Sequence, residues 1–383
     1  MKHTISISMI TCVFLLFGCG VPPTEPPATT EGKQTVERLL DTATAANIPP
    51  TSSATEALPT PTQTPAVVFE IPTERFWLHD FFIMDETRSL AVGLKGRTED
   101  IHPVLPVIML TTDGGKNWAE VDAGLEIGDL NSVTFTDSVT GYAAGQDYDG
   151  RIPVILRTED GGQTWTKATV PQTPAFVNRV YFSPAGMGWG IGFHQNGGAL
   201  LLRSKDGIVW VEQGHPSPER ANLRGIMFPS EDVGYAVGSG SSPYLIKTTD
   251  GGDTWIELEV PLEDGTLSDA LFLDDLHGVV AGSSGDSGVI LATKDGGKSW
   301  TVSKFPDSAV YLIRVFLYRA ALIVVGNVCG DSTCNGLILA SKDKGETWRE
   351  LPRLEGRVNA IGTGNSVEGL VVFAQHTDAY ASI

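Results

Sequence analysis

One short signature, returning six times, constrains this chain more than any other feature of it. TTDGGKNW ends at Trp118, TEDGGQTW at Trp165, SKDGIVW at Trp210, TTDGGDTW at Trp255, TKDGGKSW at Trp300 and SKDKGETW at Trp348. The leading aspartates are Asp113, Asp160, Asp206, Asp250, Asp295 and Asp343, spaced by 47, 46, 44, 45 and 48 residues. A period of that length marks one supersecondary unit that has to stack on its neighbours to bury its apolar faces.

Each copy reads as a hairpin turn. An apolar run such as Pro153–Arg157 or Tyr244–Lys247 leads in as a strand. The Asp carboxylate then accepts hydrogen bonds from N–H groups further along the turn, and Gly supplies positive φ. A Ser or Thr usually follows, and Trp opens the next strand with a ring large enough to fill the space between two sheets. On this reading the six aspartates are turn staples and not catalytic acids.

A second period runs alongside the first. Each unit has an apolar strand patterned Leu-x-x-Val-x-Phe and, ten residues after its last apolar residue, a Gly that closes a strand of the Gly-Tyr-Ala-Val-Gly type. The pairs are Ile83–Gly93, Phe135–Gly145, Phe182–Gly192, Phe228–Gly238, Phe272–Gly282 and Phe316–Gly326, with a degenerate seventh at Thr363–Phe373. There are thus seven strand starts for six turns. The termini resolve the mismatch. Val67–Pro72 resembles the outer strand at Ile256–Pro261 but has no strands of its own before it, whereas residues near 357–363, 369–374 and 378–383 offer three strands without a fourth. The sequence therefore predicts an all-β, seven-bladed β-propeller over residues 67–383, its ring closed by the N-terminal strand joining the C-terminal blade.

Two segments precede the repeats. In residues 1–19, Lys2 and His3 stand before an apolar stretch, Ile5–Phe17, that is short for a membrane span and suits a leader core. Leu16-Phe17-Gly18-Cys19 resembles a bacterial lipoprotein cleavage motif, so Cys19 is predicted to carry lipid after cleavage. Residues 20–66 contain 9 Pro and 11 Thr and read as a disordered tether. The predicted location is secreted and lipid-anchored at the extracytoplasmic face of a bacterial membrane. The formal charge of −19 argues against nucleic acid as a partner.

The Ser/Thr-x-Asp-x-Gly-x-Thr-Trp copies resemble the Asp-box, or bacterial neuraminidase, repeat. Seven blades, repeated Gly-Tyr-Ala-Val-Gly and Asp-Gly-Gly-x-Thr-Trp most resemble the photosystem II assembly and stability factor family of cyanobacteria and plastids. That resemblance implies a non-catalytic assembly scaffold, monomeric, with a protein partner in or near a membrane complex and no cofactor. The third copy, Asp206 to Trp210, is one residue short, and the sixth has Lys344 in place of the first Gly.

Propeller topology sends the loops opposite the Asp boxes to the mouth of a central channel, where binding is expected. The predicted binding face there comprises Arg151, Arg179, His194, Arg224, Asp269, Arg357 and Asn359. Sialidase chemistry is the alternative, with a glycan-binding module beside it. Arg151-Ile152-Pro153 superficially resembles the sialidases' Arg-Ile-Pro signature, but its position just ahead of an Asp box makes it repeat register. The seven His are scattered singly and no HExxH occurs, so no metal site is predicted. Cys329 and Cys334 bracket a short loop in the sixth unit and are predicted to form a disulfide outside the cytoplasm, with a metal pair as the weaker reading.

Overall fold

The computed structural model describes residues 10–14, 67–71, 76–95, 105–149, 152–305, 310–318, 320–330, 333–362 and 371–375. The strands among them form seven antiparallel four-stranded sheets, the blades of a β-propeller. Blade 1 starts at Phe76–Ile83, and blades 2 to 6 start at Asp129–Phe135, Ala175–Phe182, Asn222–Met227, Thr266–Phe272 and Val310–Tyr318. Within each of these blades the chain runs in order from this inner strand to an outer one. The inner strands of successive blades pack on one another, while outer strands such as Ala119–Glu120 and Arg349–Glu350 are exposed at both residues.

The seventh sheet draws on both ends of the chain. Its order is Arg357–Gly362, Val371–Gln375, Ile10–Phe14, Val67–Ile71. Ile10 stands opposite both Gln375 and Ile71, and Phe14 opposite both Val371 and Val67. Val67–Ile71 thus takes the outer position that the sequence predicted for it. The third position is filled by Ile10–Phe14, in the middle of the stretch read as a leader, whereas residues 378–383, to which the sequence assigned it, lie outside the described residues. A run such as Ile-Thr-Cys-Val-Phe is short, apolar and partly β-branched, so it suits a buried strand as well as a leader core, and periodicity does not separate the two. Cys19 and the tether also lie outside the described residues.

Middle strands are buried on both faces because each sheet is sandwiched between two others, which gives near-continuous apolar runs in place of strict alternation. Gly234–Ser239 and Pro243–Thr248 are buried at five residues each. Between blades 3 and 4, Trp189, Phe228 and Trp255 pack together. Trp189 and Phe228 stack with centroids 5.4 Å apart, and Trp255 stands edge-on to both. Truncating any of these rings to Ala is expected to cost about 3–5 kcal/mol.

The second sequence period has a steric origin. A Cβ on Gly145, Gly192 or Gly238 would lie 1.8–1.9 Å from the carbonyl oxygen of Asp129, Phe176 or Asn222 on the inner strand alongside, so no larger residue fits there. At the other end of the same strands, Gly141 and Gly234 lie beneath the rings of Phe135 and Phe228. Phe and the closing Gly therefore recur together because they fix the two ends of one strand pairing.

The turns follow the staple chemistry. In the second box Thr158 Oγ1 donates to Asp160 Oδ1 (2.8 Å) and accepts from Gly162 N (3.0 Å). Thr164 donates its N–H to Oδ1 (2.9 Å) and its hydroxyl to Oδ2 (2.6 Å) of the same Asp160. The fourth box repeats the pattern, and its donors hold the Asp250 carboxyl down at about 2. The short third box is accommodated by its neighbour: Thr169, at the edge of blade 2, donates to Ile208 O and accepts from Trp210 N, both at 2.8 Å. Cys329 and Cys334 face each other across the second and third strands of blade 6 and are joined as a disulfide.

The glycines opening the complete boxes have φ of +67° to +74°, and at the sixth box Lys344 adopts +58°. A side chain in this left-handed region is strained by roughly 1–2 kcal/mol. Part of that is offset because Gly loses more chain entropy on folding. Lys344→Gly is therefore expected to stabilise the protein by about 0.5–1 kcal/mol, read as an increased urea midpoint with an unchanged slope.

Candidate functional site

All seven inner strands carry a β-bulge at the same register. The pairing slips between Leu78 and Asp80, Leu130 and Ser132, Val177 and Arg179, Leu223 and Gly225, Leu267 and Asp269, Leu312 and Arg314, and Val358 and Ala360. The extra residue in each bulged pair re-aims the side chains that follow and frees a backbone N–H from the ladder. In each of these pairs the leading Leu or Val lies in the apolar layer, fully buried in blades 2 to 5. Most of the residues after the bulge are charged or hydroxylated, and the charged ones of blades 1, 3, 5 and 6 meet across the ring.

Two of these central residues are buried aspartates, each held in the same way. Asp80 Oδ2 accepts from Val133 N of blade 2 (2.9 Å), and Oδ1 accepts from the Arg314 guanidinium of blade 6 (3.0 Å). Asp269 Oδ2 accepts from Val315 N of blade 6 (3.0 Å), and Oδ1 accepts from Arg179 of blade 3 (2.6 Å). Each amide comes from the next blade, and each guanidinium reaches past a blade in between. For Arg179 the blade between offers Gly225, where a Cβ would stand 2.9 Å from Asp269 Oδ1. For Arg314 the residue at that register is Ala360. Ser132 continues the stitching by accepting from Val180 N of blade 3 at 3.3 Å. A cavity of about 250 Å³ lies against Arg179, Asp269 and Arg314.

The bulge residues themselves follow a parallel rule. His79 Nδ1 lies 3.1 Å from the carbonyl oxygen of Leu130, and the side-chain amides of Asn131 and Asn178 donate to Val177 O (3.2 Å) and Leu223 O (2.7 Å). Each side chain thus reaches a carbonyl of the following blade. The rule holds in blades 1 to 3; at the same position of blades 4 to 6 stand Arg224, Ser268 and Ile313, none of which bonds a carbonyl of the next blade among the described residues. Arg224 is the charged one of these three. Among the described residues it has no hydrogen-bond or ion-pair partner, and its pKa is lowered by desolvation. Its guanidinium stays charged at neutral pH, and the residue is exposed though its pKa is lowered by partial desolvation.

The predicted binding face is therefore divided. Arg179 and Asp269 spend their charges on each other. His194, at the end of the second strand of blade 3, lies 3.0 Å from Glu212 on that blade's outer strand. Arg357 is exposed at the start of the inner strand of blade 7, and Asn359 is the bulge residue of the same strand. Arg151 lies outside the described residues. Sequence reasoning missed Arg314 and Gly225, although the signal was present: both stand two residues after the Leu of the Leu-x-x-Val pattern, as Asp269 does. Among the described residues no three His, Cys, Asp or Glu side chains are grouped to hold a metal ion.

Seven four-stranded blades with stapled Asp boxes and a charged, bulged centre define a propeller of the BNR type. Within that class the resemblance is to the photosystem II assembly factors. Residues 249–366 match the family model described as Photosynthesis system II assembly factor YCF48. A solved structure titled "YCF48 bound to D1 peptide" superposes with a TM-score of 0.53 at 18% identity, covering 81% of this chain and 94% of that one. YCF48 from Cyanidioschyzon merolae superposes with a TM-score of 0.52 at 15% identity, covering 78% and 95%. No curated protein matches the sequence.

The buried pair at Asp80 sets a pH dependence. Desolvation raises its carboxyl to about 6 against the pull of Arg179 and of its amide donors. A raised folded-state pKa means that this group's contribution is fully present below pH about 4 and is lost as pH climbs through about 6. Wild type should therefore lose on the order of 2–3 kcal/mol relative to Asp80→Asn between pH 4 and pH 7. Paired urea titrations across that range read the difference, and parallel pH profiles would contradict the assignment.

Proposed function

We propose that this chain is a non-catalytic binding scaffold of the photosystem II assembly-factor type, which holds an anionic segment of a membrane-protein partner at the mouth of its central channel. Arg224 carries the reading. It is the one cation of the bulge series among the described residues besides His79, and its guanidinium has no partner among those residues. An exposed, partly desolvated cation of this kind gains from an incoming carboxylate, because part of the cost of removing its water has already been met by folding. Removal of residues 1–66 takes away three positive and five negative charges, leaving −17 on the rest. On so acidic a domain an unmatched guanidinium selects where an anion docks.

Two further observations support the reading. The repeat of residues 249–366 is that of the assembly-factor model, and one protein of the same fold is titled as bound to a D1 peptide. Cys19 extends the proposal: after cleavage, which would remove Ile10–Phe14 and leave the third position of blade 7 to the C-terminal residues 378–383 that the sequence assigns to it, lipid on Cys19 would hold the domain at the extracytoplasmic face of a bacterial membrane on the residue 20–66 tether. Glycoside hydrolysis is disfavoured by the state of Arg179, Asp80 and Asp269. The two carboxylates are buried against guanidinium and amide donors instead of being presented to a substrate.

Capture from native membranes tests the proposal. Wild type is expected to retain a membrane-complex subunit that Arg224→Glu loses by about tenfold or more, through k_off. Equal recovery by both proteins would remove Arg224 from the site, and glycan hydrolysis by purified protein without any captured subunit would overturn the scaffold assignment.

A further inference from the structure

A second surface lies away from the channel, where the outer parts of blades 1 and 2 meet, and it does not depend on the reading of Arg224. The chain leaving blade 1 runs Glu120-Val-Asp-Ala-Gly-Leu-Glu-Ile127 before it enters blade 2. Its side chains alternate. Val121, Ala123 and Leu125 are half-buried and Ile127 is buried, while Glu120, Asp122 and Glu126 are exposed. This is the pattern of an extended segment with one face on a core. Between that segment, the third strand of blade 1 and the loop after the second strand of blade 2 lies an open groove of about 760 Å³.

The groove has an apolar floor and an acidic rim. Ile108 is almost wholly buried beneath it, and Val121 and Leu125 show part of their surface into it. Tyr148, 65% exposed, stands on the opposite bank beside Asp149. The two cations at the groove are already engaged. Lys95 Nζ is bonded to the Glu120 carboxylate, and Lys167 Nζ donates to the backbone carbonyl of Glu126. Asp122 Oδ1 accepts only the N–H of Gly124 (2.8 Å). Asp122, Glu126 and Asp149 have no ion-pair partner among the described residues.

The geometry points to a docking site for an extended peptide segment that alternates Lys or Arg with large apolar side chains. The apolar floor, the exposed tyrosine ring and three uncompensated carboxylates, two on one bank and one on the other, are complementary to such a strand. Its apolar side chains would cover Val121 and Leu125, and its cations would meet Asp122, Glu126 and Asp149. A cavity of this size falls in the range of specific ligand sites and takes a few side chains. The acidic rim turns away an anionic lipid surface. Blade 1 supplies the floor and blade 2 the opposite bank, so the site exists only when the two blades are packed together.

Fluorescence anisotropy with three labelled decapeptides on the whole protein tests this: (Leu-Arg)5, (Leu-Glu)5 and (Gly-Arg)5. The (Leu-Arg)5 peptide is expected to bind saturably, and more weakly as salt rises. (Leu-Glu)5 should not bind, and (Gly-Arg)5 should bind at least about tenfold more weakly for want of apolar contact. The triple variant Asp122→Asn, Glu126→Gln, Asp149→Asn should lose at least about tenfold in affinity for (Leu-Arg)5. A control triple, Glu231→Gln, Asp232→Asn, Glu263→Gln, removes the same charge elsewhere and should bind as wild type does. The proposal fails if (Leu-Arg)5 shows no saturable binding, if both triples bind alike, or if (Gly-Arg)5 equals (Leu-Arg)5. All the substituted acids are exposed, so unchanged near-ultraviolet circular dichroism is expected in both variants.

Discussion

Burying a carboxylate at the centre of a ring of sheets is costly unless several donors converge on it. The structure meets that requirement with the β-bulge. Because every inner strand slips at the same register, one backbone N–H per blade comes free and one side chain turns inward. Asp80 and Asp269 each take such an N–H from the next blade and a guanidinium from two blades away. A propeller blade otherwise touches only its neighbours. These two aspartates add directional contacts between blades that share no sheet, and Arg314 to Asp80 spans the position of the blade built from the two ends of the chain.

The functional surface is what this arrangement leaves over. Charges pointing inward are mostly matched, so the centre supports binding more readily than chemistry. The exception is at blade 4. Gly225 there makes room for Arg179 to reach Asp269, and the preceding bulge residue is Arg224 where blades 2 and 3 have asparagines that bond to their neighbours. One blade thus yields its central side chain to its neighbours and carries an unmatched cation beside the gap. At the outer edge the balance is opposite in sign: of the charged groups lining the groove between blades 1 and 2, Glu120 holds Lys95, Lys167 is taken by a backbone carbonyl, and Asp122, Glu126 and Asp149 have no ion-pair partner among the described residues.

Much of the fold was legible because the same local problem is solved repeatedly. Asp160 and Asp250 recur with Thr158 and Thr248 two residues before and Thr164 and Thr254 four residues after, since one turn geometry needs those donors. Gly145 and Gly238 recur because a carbonyl occupies the space a Cβ would need. Val67–Ile71 was recognisable as an outer strand by its likeness to Ile256–Pro261. Legibility failed where a single copy departs from the series. Ile10–Phe14 looks like a leader core because five residues, four of them apolar, carry no period long enough to identify a strand. Arg179 and Asp269 looked like free binding residues, because a linear sequence does not show that a glycine in the intervening blade lets them meet.

The sequence by itself determined the unit, its number and its turns, since a hairpin's hydrogen bonds and a strand's side-chain alternation are set within a few residues of one another. Tertiary structure alone decided which charges survive to meet a ligand. Arg179, Arg224 and Arg314 are the same residue type at neighbouring register positions, yet of the three only Arg224 has no partner among the described residues. The difference arises from carboxylates 90 and 234 residues away in the chain, brought within hydrogen-bond reach when the blades are arranged around a common centre.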